Sequence, residues 1–195
     1  MRHILPRARR AGLVGALVVG SALLASCGGD DDDSGGSQAV TAGVFVGKVE
    51  GTNTYVALVT DGQRLSGAYL CTEKVGSAWI SPAPLADGTA DLVARRGVTL
   101  GEASFAGEEA SGDVNLAGGS HSFSAKLAAG KAGLYRTTSG KPGEAGFSET
   151  GWIVLPDGSA CGITSSTTQG GGYKSEPAPP KPKGPVTDFT NPFPF

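Results

Sequence analysis

The stretch His121-Ser122-Phe123-Ser124-Ala125-Lys126-Leu127 decides the fold, because apolar and polar residues alternate along it. Successive side chains of a β-strand point to opposite sides. Phe123, Ala125 and Leu127 therefore share one face, while the serines and Lys126 share the other. An alternation with one apolar and one polar face is typical of antiparallel strands that are half buried.

The segment Gly112–Leu116 shows the same pattern, with Val114 and Leu116 opposite Asp113 and Asn115. Two-residue turn signals punctuate the chain around these segments, and they permit the positive φ angles that tight hairpins need. The signals are Asp61-Gly62, Asp87-Gly88, Gly118-Gly119 and Asp157-Gly158.

β-type runs lie between these turns, and no window of eleven or more residues shows a convincing helical period. The runs are Val44–Val49, Tyr55–Thr60, Arg64–Cys71, Ala78–Ser81, Ala90–Arg95, Val98–Phe105, Gly112–Leu116, His121–Leu127, Leu134–Thr137, Gly151–Leu155 and Ala160–Thr164. The sequence therefore predicts an all-β fold: an antiparallel meander of about ten short strands that closes into a small β-barrel. A β-sandwich is the alternative, because both architectures protect strand edges.

The N-terminus has the organisation of an export signal. Residues 1–10 contain four arginines and no acid, and residues 11–25 form an uncharged apolar run. Fifteen residues are too few to span a bilayer comfortably but suit the core of a signal peptide. The run ends in Leu24-Ala25-Ser26-Cys27, which resembles the lipobox of bacterial lipoproteins.

By that resemblance, the signal peptide comprises residues 1–26, and Cys27 becomes a lipidated N-terminus bearing diacylglycerol and fatty-acyl chains such as palmitate. We then expect a protein anchored to the extracytoplasmic face of the cell membrane, since two or more acyl chains hold a protein stably. An ordinary secretory signal with an incidental cysteine is the alternative.

Charge and cysteine content limit the partners and the compartment. The chain has 16 Lys plus Arg and 18 Asp plus Glu. Without the four signal arginines, the remaining charge is 12 − 18 = −6. No basic stripe marks a nucleic-acid surface, so we expect no nucleic-acid partner. Cys71 and Cys161 remain as a pair in an oxidising compartment, which predicts a disulfide between them, with two free buried thiols as the alternative.

The composition divides the rest of the chain into three parts. Residues 27–42 contain the lipidated cysteine and a flexible Gly/Asp/Ser linker, and residues 43–164 form the barrel-like domain. Residues 165–195 are predicted to form a disordered tail rich in Ser, Gly and Pro, and Phe189, Phe193 and Phe195 lie near its end. We expect a monomer in which this tail engages an envelope protein, packs back on the domain, or is merely tolerated.

The inventory of reactive side chains argues against an enzyme. His121 is the one histidine after the signal, and it shares a strand face with Phe123, so a catalytic role as a hydrolase base is a low-ranking exception. One histidine and a disulfide do not supply the ligands of a metal site, and no cofactor motif is present. We predict no catalytic residue, no metal and no cofactor.

Barrels commonly hold small ligands in their mouths against aromatic walls. The candidate ligand contacts in the sequence are Tyr55, Tyr69, Trp79, His121, Tyr135 and Trp152. Filling of the barrel interior by these aromatic rings is the alternative, and the sequence favours it.

Several motifs along residues 43–160 are similar to small secreted or lipid-anchored proteins of high-GC actinobacteria that are functionally uncharacterised. They are Phe45–Thr52, Tyr55–Val59, Ala68–Cys71, Trp79, His121–Phe123, Gly133–Arg136 and Gly151–Gly158. This resemblance implies the fold and the location and transfers no active site. Tyr69-Leu70-Cys71 also resembles the Tyr-x-Cys strand of periplasmic lysozyme-inhibitor lipoproteins, which are small barrels whose strand cysteine bonds to one near the end.

Three functions follow as hypotheses. The first is a non-enzymatic envelope interaction or scaffold protein, acting in part through its Pro-rich tail. The second is a barrel that binds a small apolar or glycan ligand in a continuous cavity lined by Tyr and Trp. The third is an inhibitor of an envelope-degrading enzyme, or an enzyme itself.

Overall fold

A computed structural model describes residues 39–73 and 76–178, and these residues form thirteen β-strands and no helix. The predicted signal peptide, Cys27 and residues 179–195 lie outside the described residues. The first group of strands is an antiparallel meander, in which each strand pairs with the next. Its members are β1 (Gly43–Val49), β2 (Thr54–Thr60), β3 (Arg64–Thr72) and β4 (Gly76–Ile80).

A second antiparallel meander follows, after the two-residue strand β5 (Ala83–Pro84), which pairs with β3. Its members are β6 (Thr89–Val93), β7 (Thr99–Ala106), β8 (Glu109–Leu116) and β9 (Gly119–Leu127). Ala86 and Thr89 flank the turn that precedes β6, and its central residues Asp87 and Gly88 have φ angles of 51° and 77°. The predicted Asp-Gly turn is thus formed with the positive φ angles it requires.

The two meanders join edge to edge into a nearly closed barrel. On one side β9 pairs with β1, from Phe45 opposite Leu127 to Val49 opposite Phe123. On the other side the end of β4 meets the end of β6, where Ser81 N–H donates to the Val93 carbonyl at 2.8 Å. The order around the barrel is β1-β2-β3-β4-β6-β7-β8-β9, an up-and-down arrangement that protects most edges. The prediction of an all-β barrel is confirmed.

Apolar side chains fill the interior of the barrel. Phe45 and Phe105 meet edge to face, with ring centroids 5.5 Å apart, and Phe123 and Leu58 are buried in the same cluster. Interior-facing Gly47 lies so close to the backbone of Ser124 that a side chain there would collide with it. Glycine permits this close approach where strands bend strongly, as the walls of a small barrel do.

The last four strands form a separate antiparallel sheet, which we call sheet B. It packs against the outside of the barrel and buries a second apolar cluster there. Its strands are β10 (Gly133–Ser139), β11 (Ser148–Val154), β12 (Ala160–Thr167) and β13 (Tyr173–Pro177). The sequence did not predict that these strands leave the barrel, because alternation shows which faces are apolar but not which sheet they cover.

The folded unit also continues past residue 164, where the predicted tail began. β12 runs to Thr167, and β13 pairs with it antiparallel. β13 has the sequence YKSEP and is exposed along its whole length. Because neither of its faces is buried, its sequence lacks the apolar alternation by which the other strands were predicted. The predicted boundary between domain and tail is therefore wrong, and the described strands end at Pro177.

Candidate functional site

The aromatic residues that the sequence singled out do not line the inside of the barrel. Tyr55, Tyr69 and Trp79 point outward from β2, β3 and β4 and are buried in the cluster between the barrel and sheet B. Other apolar side chains fill the interior. These three rings therefore neither fill the barrel, as the sequence favoured, nor line a cavity inside it, as the ligand-contact alternative required. Lys48, beside Tyr55, lies with its ammonium 5.0 Å from the centre of that ring.

Tyr69 and Trp79 form an aromatic pair against the backbone of sheet B. Their ring centroids are 4.3 Å apart. A Cβ at Gly151 of β11 would lie 2.7 Å from Cζ of Tyr69 and 3.0 Å from Cζ2 of Trp79. Gly151 therefore lets the two rings lie directly on β11, and any side chain there would push the layers apart.

A buried carboxylate holds two arginines beside this aromatic pair. Glu149 is 6% exposed. Its Oε1 accepts a hydrogen bond from Nε of Arg136 at 2.6 Å, and its Oε2 accepts one from Nη1 of Arg95 at 3.2 Å. The guanidinium groups also lie over the Trp79 ring, with Cζ of Arg95 5.6 Å and Cζ of Arg136 5.5 Å from its centroid. Arg95 follows the barrel seam, so the cluster joins that seam to sheet B.

Burial changes the titration of two groups in this cluster. Desolvation raises the pKa of the Tyr69 phenol, and the negative charge of Glu149 raises it further. Desolvation lowers the pKa of Arg95, while Glu149 acts in the opposite direction. Together with Glu149, Arg136 and Trp79, these groups form a cluster of ion pairs and aromatic rings at the contact between the barrel and sheet B.

A disulfide joins β3 of the barrel to β12 of sheet B. Cys71 and Cys161 are bonded, with their Cα atoms 5.9 Å apart, and the prediction from the cysteine count is confirmed. Cys71 and Cys161 are 0% and 3% exposed.

Trp152 and Tyr135 lie on the face of sheet B that points away from the barrel. They are opposite each other in the register of β10 and β11. Trp152 is 3% exposed, and its ring packs over Gly162 of the neighbouring strand. Tyr135 is half-buried, and its hydroxyl donates to the Lys131 carbonyl at 2.6 Å.

His121 lies at the start of β9, on the face that points into the barrel. It is opposite Val114 in the register, and Phe123 follows it on the same face. These neighbours are apolar and buried, which matches the strand-end position expected from parity.

The structure contains a different cavity, at the end of the barrel where β1 turns into β2 and β3 turns towards β4. It has a volume of about 490 Å³. The described lining is uncharged and combines aliphatic side chains with hydroxyl and amide groups. It consists of Thr52, Asn53, Thr54, Leu70, Thr72, Gly76, Ser77, Ala78, Leu100, Asn115, Leu116 and Ala117.

None of the six predicted ligand contacts belongs to this lining, and sequence analysis missed the residues that do. A signal was available for some of them, since Leu116 shares the apolar face of β8 with Val114. Nothing in the sequence showed that Thr54 and Thr72 would meet: their hydroxyl oxygens lie 3.0 Å apart, across two paired strands.

Among the described residues, no group of three or more His, Cys, Asp or Glu is placed to hold a metal ion. In the same part of the chain, no helix has the length and apolar character needed to cross a membrane. No protein-family model, curated protein or solved structure matches the chain.

Proposed function

We propose that this chain is a membrane-anchored extracytoplasmic lipoprotein that acts by binding other envelope components rather than by catalysis. Its anchor is Cys27, its rigid part is the barrel with sheet B, and its Pro-rich segment beyond Ala178 engages a protein partner.

The observation that carries this proposal is the disulfide between Cys71 and Cys161. Stable disulfides form in oxidising compartments such as the cell exterior. The bond is buried and ties two sheets together, so it belongs to the architecture of the folded unit. It supports export, which the basic and apolar N-terminal segment predicts independently.

The contacts of Glu149 and His121 favour a binding function over a catalytic one. Glu149 is occupied by Arg95 and Arg136, and it serves the contact between barrel and sheet B. His121 is flanked by Val114 and Phe123. A catalytic base requires a nucleophile or an orienting carboxylate within hydrogen-bond reach, and these apolar neighbours supply neither.

The position of Ala178 makes the role of the tail testable. Its N–H donates to the Gly162 carbonyl at 2.8 Å, so the last described residue is fixed to β12. Deletion of residues 179–195 therefore removes the Pro-rich segment without cutting a described strand.

The anchor is tested by comparing the full chain with Cys27→Ala in membrane fractions of a lipoprotein-processing bacterium. We expect the full chain in the membrane pellet, released by detergent but not by salt, with an intact mass that includes acyl chains. The variant should appear in the soluble extracytoplasmic fraction. Identical partitioning of both chains, without added acyl mass, would overturn the proposed anchor.

The binding role is tested by cross-linking in intact cells of the source organism. The full chain should give a reproducible cross-linked envelope protein, and deletion of residues 179–195 should abolish or strongly reduce it. A hydrolase as the captured protein would favour the inhibitor hypothesis. If the full chain is as abundant as the deletion variant and still gives no cross-link, the result would argue against an interaction role.

A second candidate function, the binding of a small ligand, is favoured by the cavity of about 490 Å³ at the barrel end. That volume lies within the range of roughly 300–1,000 Å³ that is typical of small-molecule sites.

A further inference from the structure

We propose that the cavity at the barrel end, here called the mouth cavity, binds a small uncharged amphiphile. The apolar part of the ligand would fill the aliphatic base of the cavity, and its hydroxyl or carbonyl group would meet the Thr54–Thr72 pair. This inference rests on the second candidate function.

The base of the mouth cavity is aliphatic. Leu70 is 4% exposed and belongs to the buried core, while Ala78, Leu100 and Leu116 are half-buried and pack against that core. Water in contact with such a surface finds few hydrogen-bond partners. Its displacement by an apolar group of a ligand therefore favours binding.

A polar pair lies at one side of this base. Thr54, 1% exposed, and Thr72, half-buried, share one hydrogen bond between their hydroxyl oxygens at 3.0 Å. Two hydroxyls carry two hydrogens, and one such bond uses only one of them. The second hydrogen is available to an acceptor atom in the cavity, and the unused lone pairs are available to a donor.

The hydroxyl of Thr52 has a different role. It donates to the Val49 carbonyl at 3.0 Å and accepts from the Thr54 N–H at 3.1 Å, so it holds the turn between β1 and β2. The Thr54–Thr72 pair, unlike the hydroxyl of Thr52, keeps hydrogen-bonding capacity for a ligand.

The charge of the ligand follows from the lining. No Lys, Arg, Asp or Glu is among its described members. An ionised group placed there would lose hydration without gaining a counter-charge, which is costly. The mouth cavity should thus discriminate strongly against charged relatives of its ligand, such as a fatty acid anion compared with the corresponding alcohol.

The test uses the chain from residue 27 onward with Cys27→Ser, so that no lipid or detergent competes, and the probes 1-octanol and octanoate at pH 7. In ¹⁵N-resolved spectra, 1-octanol should shift the amides of Thr72, Ala78 and Leu116 more than those of the barrel's opposite end. Octanoate should bind at least tenfold more weakly. Shifts scattered over the surface, or equal affinity for both probes, would overturn the proposal.

Two variants sharpen the result. Ala78→Phe places a ring in the cavity and should weaken 1-octanol binding at least tenfold. Ala106→Phe, on an exposed position of β7, is the matched control and should leave it unchanged. Thr72→Val keeps the shape of the side chain, so it should weaken 1-octanol several-fold and leave a hydrocarbon probe such as toluene unaffected.

If Ala78→Phe does not fold, the mapped shifts of the unsubstituted chain and the comparison with octanoate still decide the question. Absence of binding by both probes would count against the second candidate function as well as the mouth site, whereas equal binding of both probes at the mouth would overturn only the preference for an uncharged ligand. The proposed anchor is tested separately, by the partitioning of Cys27→Ala.

Discussion

The inside of the barrel and the layer between the barrel and sheet B are both buried, but different interactions hold them together. The barrel interior consists of apolar side chains around the Phe45–Phe105 pair. The second layer combines aromatic rings with a disulfide and a buried carboxylate that holds two arginines. The interior depends on volume and packing, whereas the second layer depends also on a few polar and covalent contacts. Substitutions in the two regions should therefore fail in different ways.

The largest effect is expected from Cys71→Ala combined with Cys161→Ala. The bond closes a loop with a sequence separation of 90 residues. Constraining such a loop in the unfolded chain contributes roughly 4–5 kcal/mol. We expect a loss of that size in the free energy of unfolding, measured with denaturant, and preferential loss of amide-exchange protection in β10–β13. A variant as stable as the original chain would show that the second layer needs no covalent link.

Phe45→Ala should cost about 4 kcal/mol, because removal of a buried ring loses its transfer free energy and leaves a cavity. The edge-to-face contact with Phe105 is lost as well. Here amide protection should fall together in both sheets, since the barrel carries sheet B. Val98→Ala, at a position that is 56% exposed, is the control and should stay within about 0.5 kcal/mol of the original chain. Selective loosening of sheet B by Phe45→Ala would contradict the comparison.

Glu149→Gln should cost about 2–3 kcal/mol and act mainly on the second layer. The substitution keeps the side-chain shape but leaves Arg95 and Arg136 without their shared negative charge in a partly buried place. Breaking a buried ion pair typically costs about 3–5 kcal/mol, and the arginines are 26% and 17% exposed, which reduces the effect.

The matched control for this prediction is Glu109→Gln. Glu109 pairs with Lys126 at 3.3 Å, but its side chain is 70% exposed. An exposed pair contributes about 0–1 kcal/mol, so the control should hardly change the denaturation midpoint. Equal effects of the two substitutions would mean that the buried triad contributes no more than a surface pair.

The smallest effect concerns pH. Burial raises the pKa of Tyr69 in the folded protein, so above about pH 10 the unfolded chain loses a proton that the folded chain retains. The contribution of the neutral phenol to the free energy of unfolding is therefore fully present below about pH 10 and decreases as the pH rises above that value. Tyr69→Phe should flatten this alkaline decline, while Tyr173→Phe, at a position 67% exposed, should not. Parallel declines in all three proteins would assign the effect to other groups.

The parts of the fold that could be predicted are those encoded by neighbouring residues. Alternation along residues 121–127 gave β9 and its interior face, and Asp87-Gly88 gave a turn with positive φ angles. β2 was predicted as a strand, yet both of its faces are buried, one in the barrel and one beneath sheet B. Periodicity could not distinguish these two burial sites, because it reports that a face is apolar and not what covers it.

The candidate sites also differ in whether neighbouring residues or only tertiary contacts reveal them. The cysteine count, read together with the predicted export signal, was sufficient to predict the disulfide. Glu149 gave no local signal, although it shares a strand face with Ile153, because its arginine partners lie on other strands and meet it only after folding. The mouth cavity is likewise built from β2, β3, β4, β7 and β8 together.

The sequence by itself determined that this chain makes half-buried antiparallel strands with tight turns and one disulfide, since each of these features depends on short-range pattern or residue type. Only the tertiary structure decided that four strands leave the barrel, that the tyrosines and tryptophans pack outside it, and that an uncharged cavity forms at its end. Those outcomes depend on which apolar faces find each other, and faces distant in sequence leave no periodic trace of their partners.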